Sequence, residues 1–121
     1  LFLDRLRSGE REWSGDGEAF LNLIHRDDAC SAIWSALESP SDIPGRIFNV
    51  SDGQPTSRME IVSWLAEQTG SEIPRFSAAS SSAATLRPNR KIDNRRIREE
   101  LDWHPTYPSF RDGYFDLLKK E

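Results

Sequence analysis

Asn22-Leu23-Ile24-His25-Arg26-Asp27-Asp28 decides how this 121-residue chain is read. Ala19 through Ile24 is a short apolar run of the length and character of a buried strand. Asp27 and Asp28 follow at once, and acidic side chains suit a helix start, where they accept from free amides and meet the positive end of the dipole. Ala29, Ile33, Ala36 and Leu37 then share one face, which predicts a helix over about 27–38, stopped by Ser39-Pro40. A strand running straight into a capped helix is the repeating element of α/β proteins.

The same reading extends outward. Leu1–Arg7 has the apolar spacing of a helix end, broken at Ser8-Gly9, and Trp13 opens a short strand. Arg46–Val50 reads as a second strand after the turn at Pro44-Gly45. Ser57-Arg58-Met59-Glu60 has the form of a capping box, and Gly70 suits the end of the helix it opens. Residues 77–86 are rich in Ser and Ala, carry no core face and are expected to form a flexible loop. Asn94 is placed to start a helix ending near Leu101, and Ser109 to start the last one, with Phe110, Tyr114 and Leu117 or Leu118 inward. Trp34, Trp64 and Trp103 are expected in the core or at a docking surface, with Trp13 less clearly placed. The fold class expected is α/β: an incomplete Rossmann-type unit with a few short strands and about four to five helices. Two clear strands cannot close a sheet, since each needs partners.

Composition narrows the function. Sixteen basic against twenty acidic residues leave a net charge of −4, which disfavours a nucleic-acid binder. One cysteine, Cys30, gives no internal disulfide and no sign of an oxidising compartment. No apolar run reaches membrane-spanning length, and a cytoplasmic location is expected. Two histidines without a matching ligand cluster point to no metal site. Residue 1 is Leu and the one methionine is Met59, so the chain is expected to be a single domain fragment, 1–121, of a longer protein.

Four landmarks together resemble the C-terminal region of the NAD-dependent epimerase/dehydratase family, the extended short-chain dehydrogenases/reductases. They are Asn22–Asp28 with Ala29 and Ala32-Ile33; Gly45-Arg46-Ile47-Phe48-Asn49-Val50 with Asp52; the helix opening at Ser57–Glu60; and Lys91 through Pro105 with its Glu100-Leu101-Asp102-Trp103-His104-Pro105 ending. Asp102 stands where the family has glycine. The resemblance implies a parent that binds NAD or NADP, and a sugar-nucleotide or other small-molecule substrate. It also implies a missing N-terminal Rossmann half as partner. The glycine-rich dinucleotide turn and the Tyr-x-x-x-Lys of that family are absent from these residues: Tyr107 is followed four positions on by Arg111, and Tyr114 by Leu118. The chain alone is therefore expected to hold no cofactor and no catalytic residue.

Candidate substrate contacts are Asn22, His25, Arg87 and Arg90. Asn22 can offer its amide to a hydroxyl or hold a neighbouring loop. His25 lies at a strand end, where α/β ligands bind, and can equally fix the strand–helix turn. Arg87 and Arg90 can grip a diphosphate, whereas Arg95, Arg96 and Arg98 read as a solvated face paired with Glu99 and Glu100. Asp27 and Asp28 read as caps before they read as an acid/base pair. Two functions stay open: the substrate-side portion of a nicotinamide-dependent epimerase, dehydratase or oxidoreductase, and a stand-alone interaction module of the same ancestry that forms a homo-oligomer by burying the face the other half would cover.

Overall fold

Apolar side chains gather around two centres, so the chain divides into two units: residues 1–21 with 56–90, and residues 22–55 with 91–121. The structure is a computed structural model that describes residues 1–39, 44–77 and 89–121. Its elements are α1 (Phe2–Arg7), β1 (Glu12–Ser14), β2 (Phe20–Leu21), α2 (Arg26–Glu38), β3 (Thr56–Ser57), α3 (Arg58–Thr69), β4 (Arg75–Ser77), α4 (Arg95–Leu101) and α5 (Phe110–Lys119). Among the described residues, five helices with short strands make the α/β class expected from the sequence.

The first unit is built on Trp13, which is wholly buried and lies between Phe2, stacked at 5.6 Å, and Phe76, edge-on at 5.9 Å. Burial of a ring this large outweighs any other single contribution in a small core. The Arg5 guanidinium covers its face at 4.1 Å. β1 pairs in parallel with β4, Trp13 facing Phe76 in the register, and β2 pairs antiparallel with β3. α3 begins where the Ser57 hydroxyl accepts from the Glu60 amide, and it buries Ile61, Val62, Leu65 and Ala66. It ends at Gly70, whose φ of +65° is the left-handed cap conformation.

The second unit packs Ala32 of α2 against Ile97 of α4 and Trp103, with Ile24, Phe48 and Leu101 around them. The Trp103 indole N–H donates to Ser31 Oγ at 2.9 Å. The Asn94 side chain starts no helix hydrogen bond of its own; it donates to the Ser51 carbonyl at 2.8 Å and so ties α4 to the loop after Val50.

Several expectations are corrected. The strand over 19–24 is ordered as β only at Phe20–Leu21, and Arg46–Val50 is not a strand at all: among the described residues no neighbouring backbone forms a ladder with it. Asp27 and Asp28 do not cap α2; His25 does, accepting from the Asp27 amide. Trp13, the tryptophan least clearly placed, is the most deeply buried, and Trp34 is 61% exposed. Ile33 and Leu37 share that exposed side of α2. Arg96 pairs with Glu100 at 3.1 Å, as expected, whereas Arg95 pairs with Asp93 at 2.7 Å instead of with Glu99 or Glu100. The Ser/Ala-rich stretch lies outside the described residues from position 78 onward. Among the described residues no helix is long and apolar enough to cross a membrane.

Candidate active-site cleft

The segment Leu23-Ile24 reaches the start of α2 and opens into a cleft of about 410 Å³ within the second unit. That volume is at the small end of the range of ligand pockets. Its apolar walls include Leu23, Ile24, Phe110 and Leu117, and its polar groups include His25, Asp52, Tyr107, Asp116 and Lys120.

Asp28 sets the geometry of one wall. Its carboxylate is 1% exposed and accepts from two successive amides, Thr106 N–H on Oδ1 at 2.7 Å and Tyr107 N–H on Oδ2 at 2.9 Å. A charged acceptor with both oxygens engaged holds the 106–107 backbone against the first turn of α2. The Tyr107 ring is thereby laid on the His25 imidazole, centroids 3.8 Å apart. His25 Nδ1 accepts from the Asp27 amide at 3.2 Å, and Nε2 lies 3.6 Å from Asp116 Oδ2. The same Asp116 oxygen accepts from Lys120 Nζ at 2.6 Å, one helical turn on. Hydrogen bonding from Lys120 holds the Asp116 carboxyl below the usual carboxylate range, and the same bond raises the Lys120 ammonium. Burial pushes the Tyr114 hydroxyl up.

Asp52 behaves differently. Its amide donates to the Leu23 carbonyl at 2.7 Å, and its Oδ1 accepts from the Gln54 amide at 2.9 Å. Burial raises its carboxyl above the ordinary value, partly offset by the Gln54 bond.

Of the four sequence candidates, His25 lines the cleft. The Asn22 side chain accepts from the Ile92 amide at 2.7 Å, so its oxygen holds the chain before α4. Arg90 is exposed and belongs to the first unit, and Arg87 lies outside the described residues. Sequence reasoning named Asp52 only within a landmark, with no role at a site, and passed over Asp116 and Lys120. The i, i+4 spacing of Asp116 and Lys120 was a usable signal; the burial of Asp52, in a loop rich in turn residues, had none. Among the described residues no group of three His, Cys, Asp or Glu side chains could hold a metal ion.

No family model matches the chain. Similarity to individual proteins is clear. A 3-diazoavenalumate denitrifying reductase of a Streptomyces species is 28% identical over 117 residues, which is 90% of this chain and 38% of that protein. UDP-glucose 4-epimerase of Corynebacterium glutamicum is 33% identical over 98 residues, 79% of this chain and 29% of the enzyme. A solved protein of unknown function from Silicibacter pomeroyi superposes with a TM-score of 0.82 at 23% identity, over 98% of this chain and 43% of the other. Solved UDP-sugar 4-epimerases and dTDP-glucose 4,6-dehydratases, among them complexes with NAD, share the fold, and the chain spans 36–39% of each. It thus spans well under half the length of the proteins it matches. In fold and in sequence the chain is similar to a portion of NAD-dependent epimerases and dehydratases, enzymes of the short-chain dehydrogenase/reductase type.

Proposed function

We propose that this chain is the substrate-side portion of an NAD(P)-dependent epimerase, dehydratase or reductase and that it turns over no substrate alone. The cleft at Ile24-His25-Arg26 carries the reading, because it sets a few convergent polar groups among apolar walls at the start of α2, the usual make-up of a ligand pocket. The names of the relatives give the range of chemistry, from UDP-glucose epimerisation to reduction of a diazo acid. A cofactor-binding half would supply the glycine-rich turn and the Tyr-x-x-x-Lys that these 121 residues lack.

That half also has a place to dock. Ile33, Trp34, Leu37 and Val50 are exposed, as is Ile47, at 80%. Beside them is a second hollow, of about 350 Å³, lined by Ile24, Ala32, Ile33, Phe48, Val50 and Ile97. An uncovered apolar face of this kind marks an interaction surface. In this reading Arg46–Val50 becomes a strand once the sheet of the other half lies beside it. The interaction-module reading would instead place a second copy there. Arg87 and Arg90 are proposed contacts for an anionic substrate group.

The test has two arms. Calorimetric titration of the chain with NAD and NADP should show no tight binding; submicromolar binding would overturn the proposal. In the full-length protein His25→Ala should raise KM about tenfold or more while leaving NAD affinity unchanged, and an unchanged KM would count equally against it.

A further inference from the structure

The cleft contains one carboxyl that no described residue neutralises. Asp52 is 6% exposed, and one oxygen is engaged by the Gln54 amide. Among the described residues no hydrogen bond reaches its other oxygen and no cation pairs with it. The remaining charges around the cleft cancel locally. Asp116 is bonded to Lys120, and Arg26 reaches Asp27 at 3.3 Å. The imidazole of His25 is engaged by the Asp27 amide.

A largely buried carboxylate whose second oxygen is left facing the cleft gains when a cation or a strong donor meets that oxygen. Leu23, Ile24, Phe110 and Leu117 line the same cleft. We infer that the cleft binds a small molecule with an apolar body and a protonated amine, the amine seated on Asp52. This rests on reading the cleft as a ligand site. An anionic group at this point meets an uncompensated like charge. A hydroxyl gives one neutral donor, and a hydrogen bond between two charged groups is roughly twice as strong. The preference should therefore run amine, then alcohol, then acid.

Titration provides a check independent of mutation. Burial raises Asp52 in the free protein, and a bound ammonium group favours its charged form. Amine affinity therefore falls as pH is lowered through the titration of Asp52, and binding near that pH releases protons. His25, Asp116, Lys120, Tyr107 and Tyr114 also face the cleft. Their part of the pH dependence is what survives in Asp52→Asn, which keeps an oxygen for the Gln54 amide.

The experiment titrates the full chain with benzylamine, benzyl alcohol and phenylacetate, followed by amide and side-chain carboxyl NMR. Benzylamine should bind at least tenfold more tightly than phenylacetate and move the Asp52 carboxyl resonance together with the amides of Leu23, Tyr107 and Tyr114. Asp52→Asn, with spectral dispersion retained, should lose at least tenfold for benzylamine and little for benzyl alcohol. Phenylacetate binding as well as benzylamine, or benzylamine binding unchanged in Asp52→Asn, overturns the inference. The preference among probes in the unaltered protein decides the matter even if the variant fails to fold. The substrate-site reading itself stands or falls on the His25→Ala KM, so the two failures are separable.

Discussion

Replacing Asp28 by alanine should be among the most damaging single changes in the second unit. The carboxylate is 1% exposed and accepts one amide on each oxygen, Thr106 at 2.7 Å and Tyr107 at 2.9 Å. Alanine leaves both amides without an acceptor in a place water reaches poorly, at about 1–3 kcal/mol for each unsatisfied group. A loss of about 3 kcal/mol is the expected sum, after some relaxation of the 106–107 backbone. Against a total stability of roughly 5–15 kcal/mol, that is a large fraction. With a urea m-value of about 1.5 kcal/mol/M, the unfolding midpoint should fall by about 2 M. Asparagine should be intermediate. Its oxygen serves one amide, but its NH2 then faces the other, a donor against a donor. Asp27→Ala is the control, because the Asp27 carboxylate is half exposed and meets Arg26 at 3.3 Å, the His25 ring at 3.9 Å and the helix dipole; it should cost less than about 1 kcal/mol. Equal midpoints for Asp27→Ala and Asp28→Ala would refute the reasoning, since that is the result expected if the two carboxylates merely cap α2.

Asp52→Asn should leave stability unchanged or raise it near neutral pH. A raised carboxyl destabilises the folded state above its folded titration point, and that penalty vanishes below the unfolded value of about 3.9; urea midpoints at neutral and strongly acidic pH test whether the gain disappears on acidification. The Asp116–Lys120 pair has the opposite sign: its contribution is present at neutral pH and lost as pH falls through the lowered Asp116 titration, so Lys120→Met should flatten the acid limb of the stability curve. Gly53→Ala should destabilise by about 1–3 kcal/mol in thermal melts, because φ is +82° and a Cβ would come within 2.9 Å of the Asn94 amide. Asp102→Gly should instead stabilise, by up to about 1 kcal/mol, since Asp102 occupies the left-handed region at φ +49°.

The helices were legible because their signals are local. Ser57 with Glu60, Ser109 with Asp112 and the stop at Gly70 each need only a few neighbouring residues to act. Cap identity at α2 was misread because Asp27 and Asp28 satisfy the local rule equally well. The demand that removed Asp28 from it comes from Thr106 and Tyr107, some eighty residues on. Strands were the weak point for the same reason. Arg46–Val50 has strand composition, but a strand exists only with a partner, and among the described residues it has none. At the cleft, His25 was visible from its place just before a helix start, although the expected strand stops at Leu21. Asp52 was hidden because its distinguishing property, a buried and unneutralised charge, belongs to packing and leaves no mark on spacing.

His25 as the cap of α2 has a chemical consequence. A ring nitrogen that accepts from a backbone amide carries no hydrogen, so in the neutral imidazole the hydrogen sits on Nε2, the atom nearer Asp116. The tautomer is thus chosen by the helix terminus. A proton relay that enters at one nitrogen and leaves at the other would have to protonate Nδ1 and set two donors against each other at the first turn. Chemistry at this histidine is restricted to a single nitrogen, and attempts to repurpose it as a two-sided shuttle must first give α2 a different cap.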